Sequence, residues 1–238
     1  MASEIVQFSA CGHELTLRVG DDAFRPNTVT QRIAEASEIK PGDEVLDLGC
    51  GVGPIGILAA KQGASRVDST DIVPQAIAYA RENVVTNKVD HLVTVHHGDL
   101  FQPIGDRKYD VIINDVSGLQ DLVSRISPWY PETVPTGGED GTDVVIRMME
   151  ESRSHLKPNG TLYFATSSLS NAPKIVDKAK AVYGDIVEKL KTTNIPFCEE
   201  LNAAVDQLQV LKEKGLIYFE QRRSRYLWSL EVFRVQLA

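Results

Sequence analysis

Val45-Leu46-Asp47-Leu48-Gly49-Cys50-Gly51-Val52-Gly53-Pro54-Ile55-Gly56 decides the fold of this chain. A short apolar run ends in an acidic residue and alternating glycines, and good helix formers follow, Ile57-Leu58-Ala59-Ala60-Lys61. The pattern predicts a buried strand, a tight glycine loop and a helix. Glycine lets the backbone approach a ligand where a Cβ would collide. The helix start adds unpaired N–H groups and a partial positive charge. Such a loop suits a nucleotide-like cofactor.

Outward from this segment, strands and helices alternate. Strands are expected over 44–48, 66–70, 92–95, 110–114, 161–165, 197–201 and 227–236. Helices are expected over 28–39, 54–62, 74–86, 142–156 and 171–191, the second with proline in its first turn. Glu4–Ala10 and Leu15–Gly20 flank Cys11-Gly12-His13-Glu14, which reads as a small hairpin. The alternation predicts an α/β fold: a Rossmann-like, doubly wound, seven-stranded, mostly parallel sheet with helices on both faces. A single domain is expected over 1–238, with 1–27 as hairpin and cofactor-covering segment and 28–238 as the core.

The chain has 238 residues and a net charge of −8, which argues against a large nucleic-acid surface. No apolar run approaches the roughly 20 residues of a membrane span, and no signal peptide is visible at Met1-Ala2-Ser3-Glu4. Cys11, Cys50 and Cys198 are few and far apart. They fit reduced thiols in the cytoplasm, without zinc spacing.

Ligands of such sheets sit at the carboxyl ends of the strands, so the residues just after strands carry the functional reading. Gly51-x-Gly53-x-x-Gly56 satisfies the dinucleotide pattern, with Asp71 at about the expected distance. Asp47, just ahead of the glycines, suits a cationic group such as an amino-acid ammonium better than a pyrophosphate. Asp71 can accept hydrogen bonds from ribose hydroxyls, with Ile72 beside it. Asp99 and Leu100 follow the third strand of the alternating region. Asn114 and Asp115 follow the fourth. His91, His96 and His97 cluster near the third strand, and loop histidines of this kind are more often solvated than catalytic. Arg222-Arg223-Ser224-Arg225 reads as a solvated turn.

Asp47-x-Gly49-x-Gly51-x-Gly53 resembles the signature of class I S-adenosylmethionine-dependent methyltransferases, and Gly98-Asp99-Leu100 resembles the segment that brackets adenine there. Arg25-Pro26-Asn27-Thr28, Trp129-Tyr130-Pro131-Glu132, Gly137-Gly138-Glu139-Asp140-Gly141, Arg147 and Leu156-Lys157-Pro158-Asn159-Gly160 are similar to segments of the release-factor glutamine methyltransferase family. The resemblance spans roughly Phe24 to Ala165. It implies S-adenosylmethionine as cofactor, held by Arg25, Pro26, Thr28, Asp47, Gly49, Gly51, Gly53, Asp71, Ile72, Asp99, Leu100 and Asn114. Two departures accompany it. The family's Asn-Pro-Pro-Tyr motif is absent, and Asp115-Val116-Ser117-Gly118 stands in its place. Only about two dozen residues precede Arg25, where the family carries a separate helical domain.

A carboxylate at position 115 accepts hydrogen bonds but cannot donate when ionised. It suits a cationic amine, or a hydroxyl that must lose a proton. Asp115 and Asn114 are therefore the expected catalytic residues, and Asp115, Trp129 and Tyr130 the expected acceptor contacts, with no metal. The leading expectation is a methyltransferase acting on a small-molecule amine or hydroxyl. A protein acceptor of glutamine type is the alternative. A nicotinamide-dependent oxidoreductase and a non-catalytic cofactor-binding subunit are more distant ones.

Overall fold

The computed structural model describes residues 2–238. Ser3–Ala10 (β1) and His13–Gly20 (β2) form the antiparallel hairpin, with Ala10 opposite His13. Cys11 and Gly12 both have positive φ, at 52° and 75°. That is the twist a two-residue hairpin loop requires. A short gap then leads into Thr28–Ala36 (α1).

The central sheet is assembled from Glu44–Leu48 (β3), Arg66–Asp71 (β4), Val93–His97 (β5), Tyr109–Asn114 (β6), Leu156–Ser167 (β7), Val187–Pro196 (β8), Glu220–Arg222 (β9) and Arg225–Gln236 (β10). Its order is β5-β4-β3-β6-β7-β10-β8, with β9 paired to β10. The first five run parallel. β10 is antiparallel to both β7 and β8. Seven strands lie on the main path, as expected; the eighth, β9, is a three-residue strand ending in the arginine-rich turn.

Helices Pro54–Lys61 (α2) and Pro74–Thr86 (α3) each begin with proline and join α1 on one face. Asp143–Ser152 (α5) and Ala172–Tyr183 (α6) cover the other. Asp121–Ile126 (α4), Glu199–Ala203 (α7) and Val205–Glu213 (α8) close the end near β8 and β10. Alternation along β3 divides the core. Val45 packs on the α1–α3 side, while Leu46 and Leu48 pack on the α5–α6 side.

The hairpin is bolted to α3 by two asparagines one turn apart. Asn83 Oδ1 accepts from Arg18 N at 2.7 Å, and Asn83 Nδ2 donates to Arg18 O and Val52 O at 3.0 and 2.9 Å. Asn87 makes the same pair of contacts to Thr16. Side-chain amides thus complete the free edge of β2, and Asn83 also grips the glycine loop.

Three expectations fail in the second half of the chain. The helix expected over 171–191 ends at Tyr183, where Gly184 at φ 72° stops it. Residues 187–196 are β8 instead. Their charges misled because β8 is an edge strand, where exposed Lys189 and Lys191 are compatible with pairing on one side. The strand expected over 197–201 is instead the entry to α7. Leu201, Leu208 and Leu211 are buried at helical spacing. The helix expected over 142–156 ends at Ser152, and β7 begins at Leu156, bulged opposite β6.

Candidate active site

The parallel strands all end at one edge of the sheet, and their ends are tied together. Gly49 N and Cys50 N both donate to Thr70 O, and Asp115 N donates to Leu48 O. β10 starts at this same edge because it runs antiparallel, which brings Trp228 and Leu230 opposite Ile195 and Ser167. A cavity of about 370 Å³ opens there, within the range of small-molecule sites.

Its walls include Gly49, Gly51, Asp71, Ile72, Asp99, Leu100, Asn114 and Asp115, and Pro26 and Thr28 at the start of α1. Trp129 and Tyr130 also line it. They ride on a strap between α4 and α5 that is anchored by Thr133 Oγ1 donating to Asp22 O at 2.8 Å and Gly137 N donating to Leu119 O at 3.0 Å. The Gly-Gly-Glu-Asp-Gly stretch returns this strap to α5. A Cβ on Gly137 would stand 2.8 Å from Gly141 backbone, and one on Gly141 would stand 2.5 Å from Ser170 Cβ.

Asp71 organises the glycine loop. Its Oδ2 accepts from Gly51 N and its Oδ1 from Val73 N, both at 2.8 Å. Burial raises its pKa, against the opposing pull of these amides. Gly51 has φ 53°, and no atom lies within 4 Å of where its Cβ would be. Gly51 lines the cavity, and the space where a side chain would begin is open. Together with the carboxylates at two strand ends, this fits an adenosine-type cofactor. At the third strand end, Asp99 Oδ2 accepts from Arg147 Nη2 of α5 at 2.5 Å.

Asp115 faces the cavity from the end of β6. Thr30 Oγ1 of α1 donates to its Oδ2 at 3.1 Å. Burial raises its pKa to about 7; the Thr30 hydrogen bond lowers it and Asp71 raises it further. Asn114 Oδ1, next door, is buried without a partner. Tyr130 Oη lies 2.9 Å from Ser117 Oγ, and burial pushes its phenol up to about 12.

Three expected cofactor contacts lie elsewhere. Asp47 is fully buried beneath α2, and its Oδ2 accepts from Gly56 N at 2.8 Å. Strand alternation aims it at the helix and away from the cavity, and burial raises its pKa to about 8. Held under the helix, Asp47 is not on the cavity wall and presents no charge to a ligand there. Arg25 is exposed and pairs with Glu4 at 2.7 Å. Gly53 caps α2 at φ 91°, shaping the turn without lining the cavity. Nor do the histidines enter the site. His96 Nε2 lies 2.7 Å from buried Asp68 Oδ1, in a cluster with Arg66, Arg107 and Tyr109. His97 contacts Ile72 O.

The reading of strand ends missed Phe24, Thr30, Ile195, Trp228 and Leu230. Thr30 sits inside a helix and Trp228 at the start of a strand, and neither position carries a local signal. The antiparallel course of β10 is what delivers Trp228.

Residues 28–115 match the methyltransferase small domain family. A protein of Methanocaldococcus jannaschii described as a protein N5-glutamine methyltransferase is 32% identical over 158 residues, covering 66% of this chain and 78% of that one. The ribosomal protein uL3 glutamine methyltransferase of Bradyrhizobium diazoefficiens is 37% identical over 143 residues, 58% of this chain and 44% of that one. The ribosomal protein L11 methyltransferase of Listeria monocytogenes is 28% identical over 158 residues, 66% of this chain and 42% of that one. The chain thus spans less than half the length of these last two relatives. Among solved structures, the T. thermophilus 16S rRNA N2 G1207 methyltransferase in complex with AdoMet and guanosine superposes with a TM-score of 0.63 at 14% identity. That match covers 99% of this chain and 51% of that one. The ribosomal protein L11 methylase of Lactobacillus delbrueckii superposes with a TM-score of 0.56 at 19% identity, covering 91% and 82%. These two likenesses show the fold. The chain belongs to the class I S-adenosylmethionine-dependent methyltransferases of the release-factor glutamine methyltransferase-like type.

Proposed function

We propose that this methyltransferase acts on a side-chain nitrogen of a protein. The observation that carries the reading is the pair Asn114 and Asp115 on the cavity wall. Asn114 Oδ1 has no partner, and Asp115 uses only Oδ2, toward Thr30. Two acceptor side chains on the wall of one cavity fit a group with two or more N–H protons better than a hydroxyl with one. The relatives named for ribosomal proteins and for glutamine favour a protein acceptor over the small molecule that the sequence alone suggested.

When bound, S-adenosylmethionine supplies an electrophilic sulfonium methyl group. Gly49 and Gly51 would let the backbone approach it. Asp71 would accept from the ribose hydroxyls, using lone pairs left free by the Gly51 and Val73 amides. Ile72 and Leu100 would sandwich the adenine, with Asp99 at its amine. Pro26 and Thr28 would cover the cofactor, and Asn114 would face its methionine end. Because the cofactor is intrinsically reactive, the protein's contribution is proximity, alignment and exclusion of water. Trp129 and Tyr130 on the strap serve the last of these. The three cysteines are free, and no helix among the described residues is long and apolar enough to cross a membrane.

The test is incorporation of label from methyl-labelled S-adenosylmethionine into ribosomal proteins and into the small-molecule fraction of the same extract. Label in protein, released on hydrolysis as an N-methyl amino acid or as methylamine, supports the reading. Label confined to small molecules overturns it.

A further inference from the structure

We propose that the acceptor end of the cavity is an ammonium site, so that the nitrogen methylated is an aliphatic amine rather than a carboxamide. This rests on the N-methyl transfer reading above and specifies its substrate class.

Four aromatic rings line the cavity with Asp115: Phe24, Trp129, Tyr130 and Trp228. They come from three places in the chain, Trp129 and Tyr130 being consecutive, and form two linked pairs. Phe24 meets Tyr130 edge-on at 5.3 Å, and Trp129 lies tilted against Trp228 at 6.2 Å. Tyr130 is close enough for the Asp115 charge to raise its pKa. An aromatic wall alone would suit any apolar group. Aromatic faces beside a carboxylate suit a cation, through the ring quadrupole and the opposite charge together.

The charge balance of the cavity points the same way. Among the described residues, Asp71, Asp99 and Asp115 line it against a single cationic side chain, Arg147, which is already engaged by Asp99 at 2.5 Å. Asp115 has no cationic partner; its one side-chain contact is the neutral Thr30 hydroxyl. A carboxyl group desolvated by burial, with the Tyr130 ring nearby, is stabilised by an incoming ammonium far more than by a neutral amide. A carboxamide would gain hydrogen bonds from Asn114 and Asp115 but nothing from the charge or from the ring faces.

The chemistry closes. The substrate ammonium gives one proton to the Asp115 carboxylate, which then passes it to water. The freed amine lone pair attacks the sulfonium methyl carbon. The N–C bond forms as the C–S bond breaks, and its electron pair remains on sulfur as a neutral thioether. The product is a methylated ammonium. With its pKa near 7, Asp115 can both hold the ammonium and take its proton.

The chain contains two tryptophans, and both belong to this wall, so intrinsic fluorescence reports on this end of the cavity. The experiment titrates the protein, saturated with S-adenosylhomocysteine, with n-butylammonium and with butanamide, two probes of similar shape. A saturable fluorescence change with n-butylammonium, absent with butanamide and weakened at least about tenfold in Asp115→Asn, supports the proposal. Equal or tighter binding of butanamide, no response to either probe, or unchanged n-butylammonium binding in Asp115→Asn overturns it. Calorimetric binding of S-adenosylhomocysteine keeps the two readings apart. Failure of that binding sinks the methyltransferase reading itself, whereas normal binding with a flat or inverted probe titration sinks only the ammonium site. The same binding shows that Asp115→Asn is folded.

Discussion

Thr30 Oγ1 donates to Asp115 Oδ2 across 3.1 Å, joining α1 to the end of β6, residues 85 apart in sequence. The bond favours the ionised carboxylate and so opposes the burial that raises its pKa to about 7. Thr30→Val keeps the shape and removes the donor. The Asp115 pKa should then rise further. If turnover needs the carboxylate, the acid limb of the kcat/KM–pH profile should move to higher pH by about one to two units, the equivalent of a hydrogen bond to a charged group. An unmoved limb would separate Asp115 from the titration. Asp115→Asn, by contrast, should lower turnover by about 10²-fold or more, with cofactor affinity nearly unchanged.

The same burial sets how stability depends on pH. Asp47 and Asp115 have folded-state pKa values of about 8 and about 7, both raised above the unfolded value near 3.9. Between those limits the folded protein holds more protons than the unfolded chain, so stability falls as pH rises. The contribution is complete below about pH 4 and is lost progressively toward pH 8. Each group can contribute a slope of at most about 1.4 kcal/mol per pH unit. Thermal melts of the cofactor-free protein should therefore show a falling midpoint from pH 5 to pH 8. Asp47→Asn, which stays neutral and can still accept from Gly56 N, should flatten that fall. Parallel pH curves for the two proteins would mean that Asp47 is ionised in the fold.

Much of the parallel half of the sheet was legible because its signals are local. The β3–glycine–α2 segment, the prolines opening α2 and α3, and the N-terminal hairpin all announce themselves in a few adjacent residues, although the hairpin loop is two residues, Cys11 and Gly12, and not the four expected. The distal half was less so. β8 hides its pairing behind exposed lysines and glutamates because only one of its edges meets a neighbour. The site divides in the same way. Asp71, Asp99, Asn114 and Asp115 follow strands and could be found by counting along the chain. Trp228 and Ile195 reach the cavity only through the β10–β8 pairing, and Thr30 only through the packing of α1 over β6. Asp47 went astray for a related reason. Its place beside the glycines suggested a ligand contact, but the direction of its side chain is set by strand alternation and by the close approach of α2.

Asp71 is bound to the loop as well as facing the cavity, so its removal should be felt twice. Asp71→Ala leaves the Gly51 and Val73 amides without their acceptor. Calorimetry should show S-adenosylhomocysteine binding weakened by roughly 1–3 kcal/mol, the scale for hydrogen-bonding groups left unpaired. The cofactor-free melting temperature should fall as well. Asp71→Asn retains one acceptor oxygen and should lie between the two. A variant that loses stability while keeping full affinity would confine Asp71 to holding the loop.

Gly51 and Gly56 are five residues apart in one motif, yet their substitutions should separate binding from folding. Gly56 is the point where α2 presses on the sheet. A Cβ there would collide with Ser69 Oγ and stand 3.2 Å from Asp47 Oδ2. Both are buried atoms on paired strands, so neither can retreat without moving the helix. Gly56→Ala should therefore destabilise the fold by about 1–3 kcal/mol, the usual scale of overpacking. Its effect on cofactor affinity in the surviving folded fraction should be smaller. Gly51 poses the reverse case. Its Cβ would meet no protein atom, so the fold loses only the cost of a left-handed alanine, about 1–2 kcal/mol. That Cβ would, however, occupy space the cofactor needs, and affinity should drop well beyond what the stability change explains. Chemical denaturation and calorimetry on the two variants give the comparison. If Gly51→Ala bound S-adenosylhomocysteine as tightly as the parent, the cofactor would not approach the loop at Gly51, and the role given to this glycine would have to be abandoned.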